Sequence, residues 1–378
     1  MRYFIIAGEA SGDLHGSNLI KGLHKTDPDA EIVCWGGDKM ENAGSRLLMH
    51  YRELAIMGFW EVITRIGKIL HKLNLCKEQI SDFSPDLVIL IDYPGFNLRI
   101  ARYLYEKEIS AYYYISPKVW AWKKSRIKKI KQYINRMYVI FPFEQAFFEE
   151  HDFVVHYFGN PLVEVVEEGI SSADGQKEFI SRYQLEDKPV ISLLPGSRMQ
   201  EIKKILPLMA RVSDFYPDYQ FVMAGISTID RHVYEDIIQD RDIKLIFNDT
   251  YSILANSQAA LVTSGTATLE TAIAGIPQVV CYKTSILSYL IARRLVNIRF
   301  ISLVNLIMDK EIVRELVQDN MNEKEILGEL NSLLPGGWKR EIMLGNYREL
   351  KKMLSGRGAS SRIAVDMYHS LKLVSDVN

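Results

Sequence analysis

The residues best suited to chemistry lie in the run VISLLPGSRMQEIKKILPLMA, from Val190 to Ala210. A buried strand ends there in Pro195, Gly196, Ser197 and Arg198, and an amphipathic helix follows with apolar positions at Ile202, Ile205, Leu206 and Met209. Gly196 and Ser197 are thereby placed at a helix N-terminus, where free N–H groups and the positive end of the dipole favour an anion. Arg198 can add a bidentate contact to phosphate. The plainer alternative is a βα turn with a surface arginine.

The stretch ALVTSGTATLETAIAGIPQVV repeats this logic: a strand, then Ser264, Gly265 and Thr266, then a helix carrying Glu270 in its second turn. Small residues let a ligand approach the backbone, and Glu270 could accept hydrogen bonds from the hydroxyls of a ribose. An acid near a helix start also stabilises the dipole on its own account.

The N-terminal run IIAGEASGDLHGSNLIKGL has the same outline, with Gly8, Ser11 and Gly12 leading into a helix from about Leu14. It lacks the G-x-G-x-x-G spacing of dinucleotide binders, which weakens a nicotinamide or flavin role, and no cofactor is expected. Glu9, Asp13 and His15 are expected toward the ligand side. Asp92 ends the most apolar strand, in LVILIDYPGFN. A carboxylate there can act as general base toward a substrate hydroxyl; it can equally cap the turn before Pro94. His15 is the competing base. The two D-x-D triplets, Asp27 with Asp29 and Asp240 with Asp242, precede strands and read as solvated turns, so no metal site is expected.

Positioning these groups requires two series of alternating strands and helices. Short β-rich runs recur at 3, 31, 87, 111, 137 and 154, and a second set at 189, 219, 243, 259 and 277, with helical periodicity between them. They read as buried parallel strands. The expected fold is therefore α/β, two Rossmann-like doubly wound parallel-sheet domains facing a cleft, with ligands at the carboxyl ends of the strands. We place the first domain at 1–165, completed by C-terminal helices 345–378, and the second at 166–344. A length of 378 residues fits two cores.

With 46 basic against 47 acidic side chains there is no global positive field for nucleic acid, and none is expected as partner. The three cysteines, Cys34, Cys76 and Cys281, form no C-x-x-C pair, which fits a reducing cytoplasm. No segment approaches the roughly 20 apolar residues that span a bilayer.

Taken together, GEASGD with His15 and Gly16, MGFWEV, IDYPGFN, YYISPKVWAW, FPFE, FGNP, LLPGSR, SGTATLE and LVNL resemble, in order and over nearly the whole chain, the lipid A disaccharide synthase family. SGTATLE recurs in other UDP-sugar enzymes of the two-domain GT-B type; ISPKVWAW, MGFWEV and GEASGD are more specific. The resemblance implies an inverting glycosyltransferase that moves 2,3-diacylglucosamine from UDP-2,3-diacylglucosamine to the 6-hydroxyl of 2,3-diacylglucosamine 1-phosphate. It places Asp92 on the essential aspartate, Arg198 on the diphosphate-side arginine, Glu270 on the nucleotide-side acid and Asn305 on the asparagine of an S-x-x-N-L stretch. Tyr93 and Gly95 depart from the commoner family form, where a small residue and an acid are frequent, so this turn offers Asp92 without a second carboxylate.

Acylated substrates must be lifted from a bilayer. Phe59, Val62, Ile63, Ile66, Ile69, Leu70 and Leu73 share one helical face, with Trp60 at its edge, and the stretch from Lys118 to Arg136 holds eight Lys or Arg and no acid beside Trp120 and Trp122. Either feature can pack or be solvated instead. Together with the resemblance they imply a cytoplasmic protein held peripherally on the inner membrane of a Gram-negative bacterium; a homodimer is compatible. A UDP-sugar epimerase or hydrolase, which would need no lipid-facing stripe, is the rival enzyme class, and a scaffold that senses UDP-sugars the non-enzymatic one.

Overall fold

The structure, a computed structural model, describes residues 1–54, 66–120, 125–285, 299–354 and 356–375. The chain divides into two compact units, Met1–Pro161 with Ser355–Asn378, and Leu162–Leu354.

The first unit is built on a seven-stranded sheet in the order β3-β2-β1-β4-β5-β6-β7, every pairing parallel. Its strands are β1 (Arg2–Ala7), β2 (Glu31–Gly36), β3 (Arg46–His50), β4 (Leu87–Ile91), β5 (Ala111–Tyr114), β6 (Arg136–Val139) and β7 (His156–Tyr157). All five residues of LVILI in β4 are buried, as a strand with helices on both faces requires. The sequence alone gave no reason to draw β3: RLLMH is an edge strand with three half-buried positions, so it carries no continuous apolar run.

The second unit has a six-stranded parallel sheet in the order β10-β9-β8-β11-β12-β13. Its strands are β8 (Val190–Leu194), β9 (Gln220–Gly225), β10 (Ile243–Phe247), β11 (Ser257–Thr263), β12 (Gln278–Tyr282) and β13 (Glu315–Val317). β13, three residues at the edge, is the other strand the pattern hid.

The chain crosses between units at Pro161/Leu162 and returns at 354/355, not at the expected 165/166 and 344/345. The second difference has a packing cause. The helix Arg340–Met353 buries Met343, Tyr347 and Leu350, and the Tyr347 hydroxyl lies 3.1 Å from the Gln278 amide nitrogen of β12, which keeps this helix with the second sheet.

The last helix, Ala359–Ser375, closes the first unit. It lies against the helix Ala10–Thr26, where Gly22 permits close approach: a Cβ there would meet that of Ala364 at 2.9 Å. Asp366 accepts from Arg136 Nε at 2.9 Å and the Tyr138 hydroxyl at 2.8 Å, pinning the helix to β6.

In each sheet the strand order reverses once, between β1 and β4 and between β8 and β11. Loops leaving the carboxyl ends of those neighbours diverge to opposite faces and leave a crevice, the usual ligand position in such sheets. Gly8, Asp92, Gly196 and Ser264 all fall at these ends.

Candidate active site

At the first reversal Asp92 and Tyr93 follow β4 with φ of 43° and 46°, two successive non-glycine residues in the left-handed region. Such a pair costs free energy and persists only when neighbours over-determine it. They do. The buried Asn97 amide donates to the carbonyls of Ile91 at 3.1 Å and Asp92 at 2.8 Å, the Tyr113 hydroxyl donates to the same Asp92 carbonyl, and the Asp92 N–H donates to Tyr114 at 3.0 Å. The Tyr93 ring fills the space a side chain at Gly8 would need, so the loop after β1 and the loop after β4 fit together only with glycine there.

With its backbone so fixed, the Asp92 carboxylate is partly buried. Burial pushes its pKa up to about 6, the nearby Glu9 carboxylate adds to this, and the Lys118 ammonium and the Tyr93 backbone N–H oppose it. A carboxylate with a pKa near 6 is ionised at neutral pH yet more basic than a solvated one, which suits a general base.

The competing base differs. Burial, aided by Lys39, lowers His15 to about 4, and its Nδ1 is buried without a hydrogen-bond partner. The helix expected from Leu14 begins at Ala10, so Ser11 and Gly12 lie in its first turn; Ser11 is exposed. Two expectations for this loop are corrected. Gly12 is buried with its Cβ position 3.1 Å from that of Ala7, so its smallness serves helix-to-sheet packing rather than ligand approach. Asp13 is buried and accepts from the N–H groups of Gly37 at 2.8 Å, Met40 at 3.0 Å and Lys39 at 3.2 Å, capping the short helix Asp38–Asn42. Asp27, read as a solvated turn, is likewise buried, bound to the N-terminal ammonium at 3.0 Å and the Tyr3 hydroxyl at 3.1 Å.

Glu144, quoted within FPFE but given no role from sequence, is fully buried. One oxygen accepts from the Ser116 hydroxyl and from Trp120 Nε1 at 3.1 Å; the other accepts from the N–H groups of Ile140 at 3.1 Å and Phe141 at 2.9 Å. Burial raises its pKa while the four donors hold the ionised form. This carboxylate joins YYISPKVWAW to FPFE and fixes the loop bearing Lys118. Their separation of 24 to 28 residues is why the link was not legible in the sequence.

At the second reversal Gly196 adopts φ of +101°, so the turn requires glycine. Arg198 is the N-cap of the helix Met199–Arg211, whose Ile202, Ile205, Leu206 and Met209 are fully buried as their spacing demands. Ser197 and the Arg198 side chain are exposed, and Arg198 pairs with Glu201 at 2.9 Å.

Beside it, the helix Thr266–Ile273 follows β11. Gly265 and Thr266 are exposed, with open space at Gly265, and the Ser264 hydroxyl donates to the Ile301 carbonyl at 2.9 Å. Glu270 accepts from the Tyr251 hydroxyl at 3.0 Å, and burial raises its pKa. Tyr251, missed in the sequence, takes up the space above Gly169 and so orients Glu270.

Asn305 is corrected as well. Expected at the substrate, it is fully buried; its amide donates to Val313 and Glu315 and accepts from Ile312 and Val313, at 2.8 to 3.0 Å. Its work is to shape the segment between the helix Leu303–Met308 and β13.

Of the membrane-contact residues, Phe59, Trp60, Val62 and Ile63 lie outside the described residues, as does the side chain of Ile66. The helix Ile66–Phe83 turns Leu73, Cys76, Ile80 and Phe83 into the core, Ile69 packs against them, and Leu70 is exposed. In the basic stretch Lys118, Lys128, Lys129 and Lys131 are exposed, while Arg136 belongs to the Asp366 network and Trp120 is tied to Glu144. Trp122 lies outside the described residues. Among the described residues no helix is long and apolar enough to cross a membrane, and no three His, Cys, Asp or Glu converge to hold a metal ion.

Two parallel sheets with polar groups gathered at each strand-order reversal define the GT-B class. Solved structures of this fold cover nearly the whole chain. They include UDP-GlcNAc 2-epimerase from Neisseria meningitidis bound to UDP-GlcNAc (TM-score 0.65, 14% identity, 98% of this chain and 100% of that one) and CalG4, the calicheamicin glycosyltransferase (TM-score 0.62, 15% identity, 99% and 98%). At such identities the likeness is one of fold.

Sequence relationship is more specific. The profile of the family described as lipid-A-disaccharide synthetase matches residues 3–362. Lipid-A-disaccharide synthases of Syntrophus aciditrophicus (38% identity, 96% of this chain, 95% of the relative) and Myxococcus xanthus (36%, 96% of each) are similar over almost their full length. The chain belongs to the lipid-A-disaccharide synthase family, and with it to the UDP-sugar-dependent glycosyltransferases of lipid A biosynthesis.

Proposed function

We propose that the chain transfers 2,3-diacylglucosamine from UDP-2,3-diacylglucosamine to the 6-hydroxyl of 2,3-diacylglucosamine 1-phosphate, with inversion, giving the β-1,6-linked tetra-acyl disaccharide 1-phosphate and UDP. The observation that carries this reading is the fixed, partly buried Asp92 carboxylate with a pKa of about 6. It takes the proton of the acceptor hydroxyl as the new bond forms. His15, lowered to about 4, is the weaker base near neutral pH.

On the donor side, charge develops on the departing diphosphate. Arg198 and the N–H groups at Gly196 and Ser197 meet it, a task that needs no metal ion. Glu270, aimed by Tyr251, receives the ribose hydroxyls, and Ser264, Gly265 and Thr266 line the approach of the nucleotide. Asn305 supports this side indirectly through the loop it holds. The unit containing Asp92 handles the acceptor and the membrane; the unit containing Arg198 handles the UDP-sugar.

The lipid surface is met by Phe59, Trp60, Val62, Ile63, Ile66 and Leu70, with Ile69 turned to the core instead, helped by the exposed lysines Lys118, Lys128 and Lys129, at the cytoplasmic face of the inner membrane. Ser11, exposed in the first helical turn, is on the acceptor side. A homodimer is compatible with this arrangement.

The test is incubation of the purified chain with both acylated substrates, with and without chelator, and detection of the disaccharide by mass spectrometry. Absence of product overturns the substrate assignment, and product lost on chelation overturns the metal-free reading. Release of free sugar from UDP-N-acetylglucosamine without an acylated acceptor would favour the epimerase or hydrolase instead.

A further inference from the structure

Glu201 is the third residue of the helix Met199–Arg211, and its carboxylate stands where the proposed function seats a diphosphate. One oxygen pairs with Arg198 Nη1 at 2.9 Å; the other lies 2.8 Å from the Cβ position of Gly196. Thr263 borders the same space, its methyl 3.2 Å from that position. The Glu201 side chain is 19% exposed against 78% for Arg198, so the carboxylate is tucked into the loop while the guanidinium reaches outward. Tyr282, at the end of β12, is close enough to feel both: its pKa is raised by burial and then by Glu201, and Arg198 opposes the rise.

A negative side chain therefore already lies in the first turn of the helix and occupies one edge of the arginine. A diphosphate brought to Gly196, Ser197 and Arg198 would place like charge beside it, and such repulsion is strong where solvent is partly excluded. Resting on the reading of this loop as the diphosphate site, we propose that Glu201 is a built-in anion that holds Arg198 when the loop is empty and competes with the nucleotide diphosphate for it. Arg198 exchanges one partner for the other as UDP-sugar binds, and the return of Glu201 helps UDP to leave after transfer. No bond is made or broken; the change is one of ion pairing.

The alternative role has the opposite sign. If Glu201 were a brace that aims Arg198 at phosphate, removing its charge would weaken nucleotide binding. The experiment is calorimetric titration of the full chain with UDP and with uridine, comparing the parent with Glu201→Gln and Arg198→Gln, and stopped-flow measurement of UDP release. Glu201→Gln is expected to tighten UDP binding by roughly two- to fivefold, the scale of a partly exposed ion pair, to slow UDP release in proportion, and to leave uridine binding unchanged. Weaker or unchanged UDP binding beside unchanged uridine binding overturns the proposal.

Arg198→Gln tests the underlying reading separately. If it leaves UDP affinity unchanged, the loop is not the diphosphate site, whatever Glu201 does. Should Glu201→Gln disturb the helix start and lose uridine affinity too, Glu201→Asp decides. It keeps a charge at the dipole but withdraws it by one methylene, and a smaller gain for UDP is expected; no gain overturns the proposal.

Discussion

The two strand-order reversals carry the same kind of loop and treat it in opposite ways. At the first, Asp92 sits on a strained backbone whose carbonyl takes two side-chain donors, and Tyr93 is wedged against Gly8. At the second, Ser197 and Arg198 are open to solvent, and Arg198 is held by a surface ion pair with Glu201. The contrast follows from the tasks proposed for them. A base owes its pKa to a fixed degree of burial, so its backbone must not move; an anion cradle must admit and release a charged group, so its cation must.

The largest test of this contrast is Asp92→Asn. Loss of a general base is expected to lower kcat by roughly 10²- to 10⁴-fold with little change in KM, read from disaccharide formation. The same change should raise the melting temperature at pH 7.5. The folded pKa of Asp92, about 6, lies above its ordinary value of 3.8, so this group's ionisation costs stability progressively as pH rises through that window, with the full cost present above about 6. At pH 3.5 the two proteins should melt alike with respect to this group. A variant with unchanged turnover would remove Asp92 from the mechanism.

In the parent enzyme kcat/KM should fall as pH drops through about 6, provided Asp92 is the base. A fall only near pH 4 would point to His15.

Arg198→Gln comes next, with an expected loss of roughly 10²-fold in kcat/KM, the scale of one lost donor to a developing anion. Its melting temperature should be unchanged because the side chain is exposed. Tyr113→Phe is expected to be smaller in activity but visible in stability, at about 1 kcal/mol in denaturant unfolding for a lost hydrogen bond. It should also shift the pH profile, because the Asp92 backbone is loosened. Tyr251→Phe is the mildest: a few-fold rise in the KM for UDP-sugar with kcat retained, since Glu270 would lose the hydroxyl that aims it.

Much of this was legible in the sequence, and the parts that were not share a physical cause. Strand ends are signalled locally: the apolar run LVILI stops at Asp92, and the buried run that begins with VISLL continues through Pro195 and stops at Gly196, because burial falls off where the chain leaves the sheet. Edge strands such as Glu315–Val317 give no such signal, being short and half-buried. Side-chain destinations were harder still. Asp13, Asn305 and Glu144 are polar residues in chemistry-bearing motifs, yet each is spent on backbone or side-chain donors from another segment. Sequence spacing cannot separate a polar group that serves the substrate from one that serves its own scaffold. The resemblance pointed to the family but could not say which members of its motifs face outward.

The return of the helix Ala359–Ser375 to the first unit has a consequence for assembly. During synthesis the side of the helix Ala10–Thr26 that carries Gly22 lacks the helix that closes over it until the end of the chain has been made. The whole second unit is produced in the interval, which at typical elongation rates of about 5–20 residues per second takes on the order of ten to forty seconds. The unit begun first is thus the one finished last, and a chain cut short after Met353 would leave Arg136 and Tyr138 without the carboxylate that joins them.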